Sequence, residues 1–195
     1  MFQPEVTRFV PTIGVVGDGF CFPYLVDLIV KKNTGFSNTN IDVVDDNGTL
    51  LLQVRGSIWQ FKKKRVMCDS ISSPLLTMRQ KEVAWRQRWT VHHGVGSEER
   101  DLLYTVEQSQ SIQFKTQLSV FLATNLTREI CDFRVVGSYV SQSFKVYKGD
   151  TLIAEVKQRF KLGSLGKEKF EARVYPGVDY AFIVSLLVIL NEIDA

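Results

Sequence analysis

The run from Tyr180 to Leu190, YAFIVSLLVIL, is apolar on every face of a helix, and Ser185 alone interrupts it. A surface helix keeps one polar stripe, so a helix greasy all round requires protein on all sides. A bilayer is excluded as its surroundings, because about 11 residues at ~1.5 Å rise reach only half of the ~30 Å hydrocarbon thickness. Asp179 stands at the N-cap position, and Asn191 and Glu192 mark the return to water. The chain must therefore build a container around its own C-terminal helix.

The upstream sequence supplies the wall. Leu50, Leu52 and Val54 alternate after the turn Asp45-Asp46-Asn47-Gly48, and Leu76 and Met78 follow Ser72-Ser73-Pro74. The pattern returns at Leu102, Tyr104 and Val106, at Cys131, Phe133 and Val135, at Leu152, Ala154 and Val156, and at Phe170, Ala172 and Val174. Period-2 alternation between turn residues is the signature of strands. Six hairpin-sized units predict roughly twelve strands, too many to remain an open flat sheet; closure removes the edges and creates an interior for the helix. The fold class expected is mainly β, a closed antiparallel barrel of about twelve strands around a central hydrophobic C-terminal helix. At 195 residues one domain accommodates all of this without a disulfide or metal staple. Residues 1–20, with Pro4, Pro11, Gly14, Gly17 and Gly19, read as a flexible N-terminal arm, and residues 21–195 as the single barrel domain.

The segments Asp101–Val106 (DLLYTV), Cys131–Gly137 (CDFRVVG) and especially Val174–Leu190 (VYPGVDYAFIVSLLVIL) resemble the LURP-one-related family of plant proteins, and the resemblance runs over about residues 20 to 193. It implies a tubby-like barrel of about twelve strands around a central helix, shared with the tubby C-terminal domain and the phospholipid scramblases. It also implies an association with plant defence.

Catalytic and metal-binding patterns are sparse. His92 and His93 are neighbours on an expected strand and point to opposite faces, so they do not converge on one metal. The acidic turn Asp42–Asn47 lacks a bidentate glutamate for calcium and reads as a solvated hairpin. No Cys-x-x-Cys, His-Glu-x-x-His or Gly-x-Ser-x-Gly occurs. Gly14-x-x-Gly17-x-Gly19 suggests a phosphate loop but lacks its Lys-Ser/Thr end and a following helix. Cys21, Cys68 and Cys131 are odd in number and widely spaced, which suits buried thiols in a reducing compartment. Cys131 is expected among core residues, alternating with Phe133 and Val135. Trp59, Phe61, Trp85 and Trp89 read as core or wall residues. The expectation is a non-enzymatic protein with no metal, no cofactor and no catalytic residue.

Charge is where function shows. The net charge is only +3, yet residues 55–88 carry nine lysines and arginines against Asp69 and Glu82. Lys62, Lys63, Lys64 and Arg65 form a tetrad at an expected hairpin tip, with Arg86 and Arg88 as neighbours on an adjacent strand. These six are the candidate lipid-binding residues, since attraction to anionic lipid contributes about 1 kcal/mol per Lys/Arg near a membrane. Tubby relatives bind phosphoinositide head groups through basic residues of the barrel, which makes an anionic membrane lipid the expected partner here. Duplex nucleic acid would feel the same charges, but no helix suited to a major groove accompanies them, so no sequence-specific nucleic-acid contact is expected. The expected location is cytoplasmic, with membrane-peripheral and nuclear extensions that the tetrad allows, and no transmembrane segment. The alternative is a protein-interaction scaffold in plant defence signalling without lipid binding, an unknown protein being its partner.

Overall fold

The computed structural model describes residues 11–34, 38–57, 64–83, 86–108, 115–138, 143–162 and 167–193. The alternating segments are strands: Val26–Thr34 (β1), Asn38–Val44 (β2), Leu50–Ser57 (β3), Lys64–Asp69 (β4), Pro74–Val83 (β5) and Arg86–His93 (β6). After them come Leu102–Gln108 (β7), Lys115–Leu122 (β8), Phe133–Ser138 (β9), Ser143–Lys148 (β10), Thr151–Leu162 (β11) and Lys167–Val174 (β12). Each strand pairs antiparallel with its sequence neighbours, and β1 closes on β12 with Val26 opposite Val174. The result is the closed twelve-stranded barrel that the alternation predicts.

The one α-helix among the described residues, Tyr180–Ile193 (α1), threads the interior, and every residue from Tyr180 to Leu190 is buried. Inward residues from all around the wall, among them Leu28, Leu52, Met67, Met78, Trp89, Tyr104, Val135, Val146, Ala154 and Ala172, form one continuous core with it. The polar interruption is satisfied in place: Ser185 donates to the Phe182 carbonyl at 2.5 Å and shares a short hydrogen bond with the Tyr104 hydroxyl. Burial pushes the Tyr104 phenol above its ordinary range. Phe182 meets Tyr104 edge-on with centroids 5.2 Å apart and packs on Phe133 at 4.8 Å, separations favoured by aromatic quadrupoles.

The two ends of the barrel are closed differently. Where α1 begins, residues 11–22 lie across the mouth as a strap. The N–H groups of Val15, Val16 and Gly17 donate to Asp179 Oδ2 at 3.0, 2.7 and 3.1 Å, while Asp179 Oδ1 caps the helix through Phe182 N–H at 2.9 Å. Phe20 and Phe22 pack on the Tyr180 ring, edge-on and stacked. The glycine-rich loop is thus an anion nest, and its anion is the protein's own carboxylate. This corrects the expectation of a flexible arm for residues 11–20: their backbone donors find a buried acceptor more than 160 positions away. Residues 1–10 lie outside the described residues. Burial raises the Asp179 carboxyl above its usual range, although the four donated hydrogen bonds pull the other way.

The cysteines divide. Cys68 is buried, and Cys21, half-buried within the strap, has its thiol pushed up to about 11 by burial, then by Asp179 and Asp18. Cys131 is not a core strand residue: β9 starts at Phe133, leaving Cys131 half-buried in the preceding loop.

Candidate functional site

The six candidate residues separate once the register is known. Lys62 and Lys63 lie outside the described residues, as do Trp59, Phe61 and Trp85. Lys64 and Arg65 are not at a tip but open β4, and successive strand residues face opposite sides. Arg65 points inward with Met67 and is buried. Its guanidinium pairs with Glu192, in the last turn of α1, at 2.8 Å. Gly56 on β3 leaves room for this, since a Cβ there would collide with the Arg65 side chain. Arg65 therefore seals the barrel's exit end, where a cation also complements the helix dipole. It does not face a lipid surface. Arg86 opens β6 opposite Val83, and β5 intervenes between β4 and β6, so the strands carrying the candidates are not adjacent.

The intervening strand carries what sequence reasoning missed. Leu76 and Met78 face the core, so Thr77, Arg79 and Lys81 lie on the opposite face of β5, where Thr77 is buried, Arg79 half-buried and Lys81 exposed. Arg79 lies directly opposite Lys64 on one side, and Lys81 directly opposite Arg88 on the other. Side chains so placed have Cβ atoms about 4.5–5.5 Å apart, and like charges there destabilise the sheet. The outer wall of β4, β5 and β6 thus holds a compact array of four cations. The inward alternation of Leu76 and Met78 was the available signal for it.

One flank of the array meets a single carboxylate. Arg88 meets Glu107 on β7 at 2.7 Å, and Arg128 meets the same carboxylate at 2.6 Å, two cations on one anion. Lys64, Arg79 and Lys81 have no carboxylate partner among the described residues. The cross-strand row through Lys64 and Arg79 continues to Thr90 and Thr105. Among the described residues, Arg79 Nε, Thr90 Oγ1 and Thr105 Oγ1 are buried with no hydrogen-bond partner. Beside them His92 is buried, its Nδ1 without a partner among the described residues, while His93 is exposed, so the two rings diverge as strand geometry requires. Burial, then Lys81 and Arg79, push the His92 pKa below its ordinary value. The array therefore repels a further cation and favours an anion. Among the described residues no group of three or more His, Cys, Asp or Glu side chains is placed to hold a metal ion. Among them, too, no helix is long and apolar enough to cross a membrane.

The LURP-one-related family model matches residues 26–191, which spans β1 through α1. The chain belongs to the LURP-one-related family. Protein LURP-one-related 14 of Arabidopsis thaliana is 47% identical over 188 residues, covering 93% of this chain and 91% of that protein. Protein LURP-one-related 15 and Protein LURP1, from the same plant, are 42% and 40% identical, over 92% of this chain and 85% and 89% of theirs. An X-ray structure of an Arabidopsis thaliana protein superposes with a TM-score of 0.73 at 35% identity, covering 93% of this chain and 99% of that one. The barrel and its helix are thus shared with a solved plant protein.

Proposed function

We propose that this LURP-one-related protein is a non-enzymatic docking module that binds anionic lipid, phosphoinositide head groups above all, through the outer wall of β4–β6. The observation that carries the reading is the pair of like-charged cross-strand neighbours, Lys64 with Arg79 and Lys81 with Arg88. Sheets are stabilised by opposite charges at such positions, and each like pair costs about 0.2–1 kcal/mol. A polyanion laid across the array relieves both repulsions at once. Its phosphate oxygens would also offer acceptors to the Arg79 guanidinium, which supplies planar, bidentate donors that an isolated ammonium lacks. Charges spread on a convex wall attract and orient an anion; they do not enclose a reacting atom, which is why a binding role fits better than catalysis.

Co-sedimentation with phosphoinositide-containing vesicles tests the reading. Lys64→Ala and Lys81→Ala are each expected to weaken binding by ~1 kcal/mol at low salt. Salt is expected to mimic them, as the Debye length falls from ~10 Å at 0.1 M to ~3 Å at 1 M. Indifference of the unaltered protein to anionic vesicles at low salt would sink the proposal.

A further inference from the structure

The opposite end of the barrel carries a different surface. The turns joining β4 to β5, β6 to β7 and β8 to β9 all lie at the strap end and follow one another around the rim. Each holds out an aliphatic side chain: Ile71 is 84% exposed, Val95 67%, Leu126 89% and Ile130 80%. A single exposed aliphatic is ordinary, but three successive tips on a rigid rim mark an interaction surface.

The β8–β9 loop shows that the display is built in. Asn125 Nδ2 donates to the Ile130 carbonyl and to Asp132 Oδ2, both at 2.9 Å, and Asn125 Oδ1 accepts from Arg128 N–H at 3.0 Å. Asp132 also accepts from Leu122 N–H at 2.8 Å, tying the loop to β8. Arg128 adopts a φ of 55°, a strained conformation for a residue with a side chain. Its guanidinium turns back over Phe121, 4.5 Å from the ring centroid, and onto Glu107. The loop is thus held from within, with its cation folded away and its two aliphatics in water.

The tips that surround them are acidic. Asp69 ends β4 at its turn into β5, Glu98 and Glu99 belong to the β6–β7 loop and Glu129 to the β8–β9 loop, while Asp45 and Asp46 occupy the neighbouring β2–β3 turn. The one cation on the β6–β7 loop, Arg100, is held by Glu98 at 3.0 Å. The Arg55 guanidinium reaches Ser72 Oγ in the β4–β5 turn at 3.5 Å, so the anionic part of the rim is the β6–β7 and β8–β9 loops, where aliphatic tips beside carboxylates repel an anionic membrane and complement a cationic surface.

We propose that the strap-end tips, Leu126 and Ile130 foremost, dock a protein segment that presents basic and aliphatic side chains together. The tips would enter the segment's apolar face while Glu99 and Glu129 meet its lysines or arginines.

The test uses a fluorescently labelled synthetic peptide alternating leucine and lysine, a lysine-only peptide of equal charge, and the full-length protein. Leu126→Ser/Ile130→Ser, which leaves charge unchanged, is expected to weaken binding of the mixed peptide about tenfold and to leave the weaker lysine-only binding unaltered. Backbone amide shifts on titration are expected at the three strap-end turns. Failure of the mixed peptide to bind, equal binding by the double variant, or shifts confined to the β4–β6 wall would each overturn the proposal. So would partition of the unaltered protein, but not of the double variant, into uncharged phosphatidylcholine vesicles, since that outcome assigns the tips to a lipid surface.

Discussion

At the strap end Asp179 accepts four backbone N–H groups and is itself buried, whereas at the exit end Arg65 meets Glu192 side chain to side chain. Both arrangements complement the α1 dipole, a carboxylate at its N-terminus and a guanidinium at its C-terminus. They differ in what they order. Asp179 organises a whole chain segment, because main-chain donors have no other use; Arg65 fills a gap left by Gly56 and orders only the mouth. The same polarity extends outward. Carboxylates gather at the strap-end turns, and lysines at the opposite strand ends, including Lys32, Lys64, Lys81 and Lys167. One barrel thus offers two electrostatically opposite surfaces, and the helix inside runs between them.

The comparison breaks most sharply at Asp179. Asp179→Ala leaves the strap N–H groups and the helix N-terminus without their acceptor, with an expected loss of about 3–5 kcal/mol. Thermal melting should fall by roughly 10 °C, and proteolysis should newly cut within residues 11–22. A strap that stays protected would show that Phe20 and Phe22, not the carboxylate, hold it. At the other end Arg65→Ala removes the guanidinium that pairs with Glu192 and is expected to cost about 2–4 kcal/mol. Adding Glu192→Gln should recover part of that loss, as a double-mutant cycle would read, while the strap remains resistant to protease.

Smaller effects sharpen the contrast on the outer wall. Lys81→Glu converts a like-charged cross-strand pair into an opposite one and is expected to stabilise the protein by about 0.2–1 kcal/mol, while weakening binding to phosphoinositide vesicles. A fall in melting temperature would mean that the array is not self-repelling. The smallest effect is the pH dependence of His92, whose folded pKa lies below its ordinary value. The unfolded chain then binds the proton more readily, so stability is full above the ordinary histidine range near ~6.5 and declines as pH falls through it toward the folded pKa. His92→Gln should flatten melting temperature against pH over that window.

Much of this was legible in the residues. The all-round apolar run from Tyr180 demanded enclosure, and the alternations at Leu52/Val54, Leu76/Met78 and Phe170/Ala172 named inward positions, because both signals are local periodicities that any packing must respect. Asp179 as an N-cap was equally readable. Its second role was not, since the donors sit at Val15, Val16 and Gly17 and only the closed barrel brings them to it. The basic tetrad misled for a different reason. A shift of one residue reverses the face of a strand side chain, so placing Lys64 and Arg65 in β4 rather than in the turn sent Arg65 inward and left Lys64 outside. The sequence alone determined that a sheet must close around this helix and that positive charge concentrates between Arg55 and Arg88. Only the tertiary structure decided which cations become neighbours, because cross-strand register sets Lys64 against Arg79 and Lys81 against Arg88, and no local pattern encodes that pairing.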